Sequence, residues 1–328
     1  MIHALFAVAL AAGPLEDRLA AEPDFSGAAW VFDASSVREA VATDPAMLDG
    51  DWRWASISKL VNAVAVLQAV DDQLISLDTE LSEYLETPAQ PGLTVRDLLR
   101  HTSGLVNPDG ANAQRRVREV GPQAFCAQDP PGAPGGRSSY NNCDTIVLAQ
   151  LLEAVRGETY ADILQQYVFD PAGVSNTRPG RGSDNGDFDG TLNSGSPAPV
   201  FDLALWGASG DLVGPGADLI AFSQALMRDE LLSAQSLAAL RNGDPSRGYL
   251  ALGAWSFPAP LEGCDGAVSL LERRGHIVGV QGRMILAPDL ARGLIVFTDR
   301  NSQEFGEIWM GRGLSFDLAS AAFCPGAG

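Results

Sequence analysis

Lysine is all but absent from this chain of 328 residues. Of its 22 basic side chains only Lys59 is a lysine; the other 21 are arginines. Arginine stays protonated inside proteins, whereas a buried lysine can lose its proton and serve as a base. The one position that keeps a lysine is therefore where proton chemistry is to be sought. Positive charge is scarce overall: 41 Asp and Glu give a formal net charge of −19. That excludes the basic footprint of a nucleic-acid binder and disfavours docking on an anionic membrane surface. Histidine occurs three times, at His3, His101 and His276, with no His-Glu-x-x-His and no Cys-x-x-Cys, so neither a metal site nor a cofactor is expected. Beyond the start, no run approaches the roughly 18 apolar residues of a membrane span.

What is present is globular material: 46% hydrophobic and 19% charged residues, with 35 Gly and 20 Pro. The apolar content suffices to offset chain entropy, and the length suits one large domain or two moderate ones. Residues 1–12 read as an export leader, a short apolar stretch with Ala9-Leu10-Ala11 as its cleavage signal and no Lys or Arg ahead of it. A periplasmic or secreted protein is the expectation. Four cysteines, Cys126, Cys143, Cys264 and Cys324, fit two disulfides in such a compartment. Pairing within each region, Cys126–Cys143 and Cys264–Cys324, is expected; buried free thiols are the alternative.

Strands open the chain, helices fill its middle and strands close it. Residues 27–33 and 37–43 form a hairpin pattern, followed by a helix whose apolar positions Ile57, Leu60, Val61, Val64 and Leu67 follow helical spacing. Ala63, Ala65 and Val66 make its other faces apolar, which marks a buried central helix. From about 76 to 229 the pattern is helical with long loops. Thr94-Val95-Arg96-Asp97 is a capping-box start of a helix ending near Ser103-Gly104, and 144–155 is a helix closed by Gly157. Segments 106–139 and 178–200, rich in Gly, Pro, Asp and Asn, read as irregular substrate loops. Strands are expected at 249–257, 267–274, 280–287 and 292–299. The expected fold is α+β: an antiparallel sheet built from both chain ends (13–75 and 230–328) with flanking helices, and an inserted helical domain over 76–229.

Ser56-Ile57-Ser58-Lys59 places a serine and the sole lysine on one face at the start of the buried helix. There the free N–H groups and the dipole suit an anionic intermediate, and a desolvated lysine could activate the serine. Tyr140-Asn141-Asn142 follows a Pro/Gly-rich loop and precedes a helix. Leu93-Thr94-Val95-Arg96-Asp97-Leu98-Leu99-Arg100-His101-Thr102-Ser103-Gly104-Leu105 is a long, specific string. With these pieces the chain resembles the serine β-lactamase and penicillin-recognising family, in its class C β-lactamase, D,D-peptidase and esterase-like branch. The resemblance extends over most of the chain, including 72–78, 160–177 and 207–227. It implies a β-lactamase-like fold, with Ser56 as acylated nucleophile and Lys59 as its proton partner. Tyr140 would be the general base and later the acid, and Asn142 a contact to the substrate amide. Tyr and Lys have similar ordinary pKa values, so as neighbours they can share a proton.

The family's third motif, usually Lys-Thr-Gly or His-Thr-Gly on a cleft strand, is replaced here. His276-Ile277-Val278 lacks the glycine; Arg273-Arg274-Gly275 keeps it, and Gly279 and Pro288 then fall at the family's spacing. In that register Arg273 supplies the fixed positive charge, Arg274 lies on the other strand face, and the His276 N–H joins that of Ser56 in the oxyanion hole. The loss of the usual triplet argues against β-lactam hydrolysis proper. His101 is expected to be structural. The implied partner is a small-molecule, peptide or ester substrate cleaved through a Ser acyl-enzyme. The competing readings are a penicillin-binding sensor that acylates without turnover, and an α/β-hydrolase. The latter needs a Gly-x-Ser-x-Gly elbow, and the nearest string, Gly207-Ala208-Ser209-Gly210, has the wrong spacing.

Overall fold

A computed structural model describes residues 6–7, 14–88, 90–130 and 132–324. Seven strands form one antiparallel sheet: β1 (Phe6–Ala7), β2 (Gly27–Asp33), β3 (Val37–Ala42), β7 (Trp255–Ala259), β8 (Val268–Ile277), β9 (Val280–Ala287) and β10 (Arg292–Thr298). They lie in the order β1-β3-β2-β10-β9-β8-β7. β4 (Asp51–Arg53), β5 (Arg178–Pro179) and β6 (Leu212–Pro215) form a second, three-stranded sheet in the order β4-β6-β5.

The two chain ends meet where β2 pairs β10, from Asp33↔Arg292 to Gly27↔Thr298. Both strands are apolar on both faces, because both faces of the sheet are covered. Trp30, Phe32, Ile295 and Phe297 face the helix Ser58–Asp71; Ala29, Val31, Leu294 and Val296 face the terminal helices Pro14–Ala20 and Leu314–Phe323. Ser58–Asp71 is buried almost all round, as its sequence implies. Both disulfides join the expected pairs, Cys126–Cys143 and Cys264–Cys324. Of the leader read over 1–12, Phe6–Ala7 pairs with Val41 and Ala42; the remainder lies outside the described residues.

Four local expectations are corrected. The strand sought at 249–257 is β7, 255–259, because the chain before it turns against the central helix instead of pairing in the sheet. Gly253, at φ +83°, passes so close that an added Cβ would lie 2.6 Å from the Ala63 Cβ. The 106–139 segment is not wholly irregular: it holds the helices Ala111–Val120 and Pro122–Cys126, split by Gly121 (φ +85°) and Pro122. The helical stretch also contributes β5 and β6, which are too short to show a period of two. The capping box at Thr94 forms as expected, but its helix stops at Leu99, and His101 rather than Gly104 is the first left-handed residue. The carbonyls after Leu99 turn to the 135–139 segment instead of continuing the helix.

Removing Cys264–Cys324 by double alanine substitution should lower stability by about 4 kcal/mol, given the 60-residue separation it closes. The Cys126–Cys143 link, closing 17 residues, should cost about 3 kcal/mol. Denaturant unfolding curves of the two variants check both the size and the order.

Candidate active site

Ser56 sits in a single 3-10 turn, Ala55–Ile57, that runs straight into the helix Ser58–Asp71. Buried Trp54 anchors the turn by donating its indole N–H to the Gly214 carbonyl at 3.1 Å. Ala55 is held at φ +47°, an unfavourable region for a residue with a Cβ, so the backbone just before the serine is strained. One helical turn on, Lys59 is buried with three acceptors around Nζ: Ser56 Oγ at 3.1 Å, Asn142 Oδ1 at 2.6 Å and the Ser209 carbonyl at 2.6 Å. These match the three donors of an ammonium group.

Tyr140 and Asn142 arrive together because Asn141 caps the helix Asn142–Arg156, its side chain accepting from the Cys143 N–H. The Tyr140 hydroxyl lies 2.6 Å from Ser56 Oγ. Asn142 is engaged at both ends: Oδ1 takes the lysine and Nδ2 donates to Asp109 Oδ1 at 2.6 Å. Asp109 is steadied by Asn107, whose amide also reaches the Tyr140 carbonyl at 3.2 Å. Beside these groups, Pro108, Val117, Leu205 and Trp206 line a pocket that Asp109, Asn142 and Ser209 also border.

β8 supplies the third wall. Its pairing with β7 ends at Glu272, whereas its pairing with β9 continues to Ile277, so 273–277 leave one edge for the serine turn. Gly275 makes that approach possible: an added Cβ there would lie 2.3 Å from the Trp54 carbonyl oxygen. Arg273 shares its face. Only 1% exposed, it donates Nε–H to the Ser56 carbonyl at 2.8 Å and holds Nη2 at 3.4 Å from the Tyr140 hydroxyl. Its Nη1 is buried with no hydrogen-bond partner among the described residues, and the guanidinium lies over Trp255. Arg274, on the opposite face, is tied to Glu272 and Glu307. The His276 side chain is exposed and sits 2.6 Å from Asn301 Oδ1, away from the serine.

The electrostatics are set by two cations around one phenol. Desolvation of its hydroxyl among the site's side chains would by itself raise the pKa of Tyr140, although the ring is partly exposed; the Lys59 and Arg273 charges outweigh it and hold it below the ordinary tyrosine value. Burial, reinforced by Arg273, pushes Lys59 down, against the opposing pull of Tyr140. The two positive charges thus favour a phenolate-like oxygen beside the serine hydroxyl. Among the described residues there is no group of three or more His, Cys, Asp or Glu side chains able to hold a metal ion.

Of the predicted site residues, Ser56, Lys59, Tyr140, Asn142, Arg273 and Gly275 come together, and the His276 side chain does not. Sequence reasoning missed Asp109, Asn107 and Ser209. The first two lie in the loop flagged as functional, but nothing in its text singles them out. Ser209 acts through its carbonyl, which carries no side-chain signal.

A beta-lactamase family model matches residues 24–312. The chain belongs to the beta-lactamase family. Penicillin-binding protein 4 of Amycolatopsis lactamdurans is 29% identical over 253 residues, 67% of this chain and 61% of that protein. A D-aminopeptidase of Brucella anthropi is 32% identical over 145 residues, 40% of this chain and 26% of the relative. The matches thus span between about a quarter and three fifths of these relatives' own lengths. Among solved structures, a D-stereospecific amidohydrolase from Streptomyces has TM-score 0.69 at 23% identity, covering 93% of this chain and 95% of that one. A beta-lactamase/D-alanine carboxypeptidase from Pseudomonas syringae has TM-score 0.73 at 16% identity, covering 96% and 99%. These two likenesses are of fold, and the fold is the β-lactamase-like one expected. No helix among the described residues is long and apolar enough to cross a membrane.

Gly275→Ala should force β8 off the serine turn and destabilise the protein by about 1–3 kcal/mol, the usual cost of overpacking. Thermal unfolding together with a serine-directed labelling rate checks this. A variant with unchanged stability and rate would mean that the strand tolerates a Cβ at the contact.

Proposed function

We propose that this protein is a serine acyl hydrolase that cleaves an amide, peptide or ester bond through an acyl-enzyme on Ser56. The observation that carries the reading is the continuous chain Lys59 Nζ, Ser56 Oγ, Tyr140 hydroxyl, with steps of 3.1 and 2.6 Å. Ser56 Oγ attacks the substrate carbonyl carbon as its proton passes to the Tyr140 oxygen, which Lys59 and Arg273 keep poised as a base. Negative charge on the carbonyl oxygen is met by the Ser56 N–H and the N–H of His276 on the free edge of β8. Tyr140 then returns the proton to the leaving amine or alkoxide. Water repeats the sequence: Tyr140 takes its proton as the water oxygen bonds to the acyl carbon, the bond from that carbon to Ser56 Oγ breaks, and Tyr140 returns the proton to Oγ as the acid product leaves.

The charges on either side of the serine support a substrate with two handles. Arg273 suits a carboxylate or polarised carbonyl on one side. Asp109, 2.6 Å from the Asn142 amide, suits a free ammonium on the other. A short peptide or amino-acid amide carries such groups, in keeping with the D-aminopeptidase among the relatives. The apolar walls Val117, Leu205 and Trp206 suit a hydrophobic side chain beside the ammonium. Export belongs to the same reading, because two disulfides form and persist in an oxidising compartment.

A fluorophosphonate or a fluorescent penicillin should place its adduct on the peptide containing Ser56, read by mass spectrometry, and Ser56→Ala should abolish it. Lys59→Arg keeps a charge but cannot reproduce three tetrahedral donors, and should slow acylation by about 10²–10⁴. Labelling that survives Ser56→Ala overturns the reading, and an arginine variant of near-normal rate reduces Lys59 to a plain charge.

Substrate charge separates the two handles. Arg273→Ala should raise KM for carboxylate-bearing substrates more than for neutral esters, and Asp109→Asn should do so for substrates with a free ammonium. Steady-state kinetics on a matched charged and neutral ester series decides it. A charge-selective loss in His276→Ala instead of Arg273→Ala would reassign the third motif.

A further inference from the structure

The most specific string in the sequence, 93–105, takes no part in the chemistry above, yet it lies directly behind Tyr140. Its backbone acts as a template for the segment that carries the tyrosine. The Thr102 carbonyl accepts from the Gly135 N–H at 3.0 Å, the Arg100 carbonyl from the Ser138 hydroxyl at 2.9 Å, and the His101 carbonyl from the Ser139 N–H at 2.8 Å. His101 itself is held at φ +54°, strained for a residue with a Cβ, and is 4% exposed. Its Nδ1 lies 2.7 Å from Asp144 Oδ2, and the Ser103 hydroxyl donates to the other oxygen of the same carboxylate. The imidazole ring rests against the Tyr140 ring, with centroids 5.0 Å apart. Tyr140 is 38% exposed, so packing from outside does little to fix its ring.

We infer that His101, clamped by Asp144 and Ser103, is the positioning residue that holds the Tyr140 hydroxyl in line with Ser56 and between the two cations. The charged and titratable groups facing Tyr140 are Lys59 from the central helix, Arg273 from β8 and His101 with Asp144 behind it. Asp109 reaches Lys59 from the substrate loop through Asn142. Burial pushes the imidazole pKa down, which keeps a third positive charge out of this cluster. The ring therefore works as a neutral wall. Without it, Tyr140 can swing away from Lys59 and Arg273, lose their stabilisation and become a weaker acid. This inference rests on the acyl-enzyme reading.

The test is the rate of Ser56 phosphonylation by a fluorophosphonate, in which Oγ bonds to phosphorus and fluoride leaves, against pH, in the wild type, His101→Leu, His101→Asn and Ser103→Ala. The asparagine variant keeps an N–H for Asp144 and so protects the fold, but lacks the ring wall. Labelling of the wild type should rise with pH as Tyr140 ionises. In both His101 variants that limb should move up by about one pH unit, about a tenfold loss of rate below it. Ser103→Ala, which loosens only the clamp, should move it less and in the same direction. Folded His101→Asn with an unmoved limb overturns the inference, and should that variant not fold, an unmoved limb in folded Ser103→Ala does so. Absence of Ser56 labelling in the wild type is instead the failure of the acyl-enzyme reading.

Discussion

The site is organised around one ammonium group taken out of water. An unpaired buried charge costs several kcal/mol, so Lys59 is tolerated only where the fold surrounds it with acceptors. It takes them from three distant parts of the chain: Ser56 on its own helix, Asn142 on the helix after the tyrosine loop, and the Ser209 carbonyl on the segment before β6. Satisfying this single charge draws Ser56, the tyrosine-bearing segment and the 207–209 turn onto one point. The same burial makes the lysine a strong electrostatic partner for Tyr140.

Arg273 extends that logic from the sheet side. Its Nε–H is spent on the Ser56 carbonyl and its Nη2 leans toward the tyrosine, so the guanidinium both orients the serine turn and adds to the field on the phenol. This depends on how closely β8 approaches. The separation is set by Gly275 against Trp54, and by an overhang of β8 beyond β7 that leaves the strand edge open there. Arginine suits a position where charge is wanted and proton transfer is not; lysine is kept where the donors must point in three directions.

Backbone strain gathers around the same point. Ala55 before the serine and His101 behind the tyrosine both hold positive φ, which only tightly packed surroundings sustain. The helices of 106–139 and the Cys126–Cys143 link brace the tyrosine loop from its far side, next to Asn142. The segment that reads as loop is thus a partly helical support that carries Asn107 and Asp109 into the site.

Local pattern determined a good deal. The apolar strands 27–33, 280–287 and 292–298, the all-round apolar helix after Ser56, the capping box at Thr94 and the glycine cap at Gly157 each follow from short-range sterics and burial, so they are legible residue by residue. The serine–lysine spacing and the tyrosine motif are legible too, because their chemistry demands particular side chains at fixed intervals. What the text does not carry is anything contributed by backbone or by distant pairing. The Ser209 carbonyl has no side-chain signature, the short strands β5 and β6 have no period to detect, and Asp109 is one acidic residue among 41 acidic side chains until the fold sets it against Asn142. Spacing favours Arg273 over His276 for the third motif. What spacing does not carry is which face of β8 looks inward: Arg273 is buried against the Ser56 carbonyl, and the His276 side chain is exposed beside Asn301.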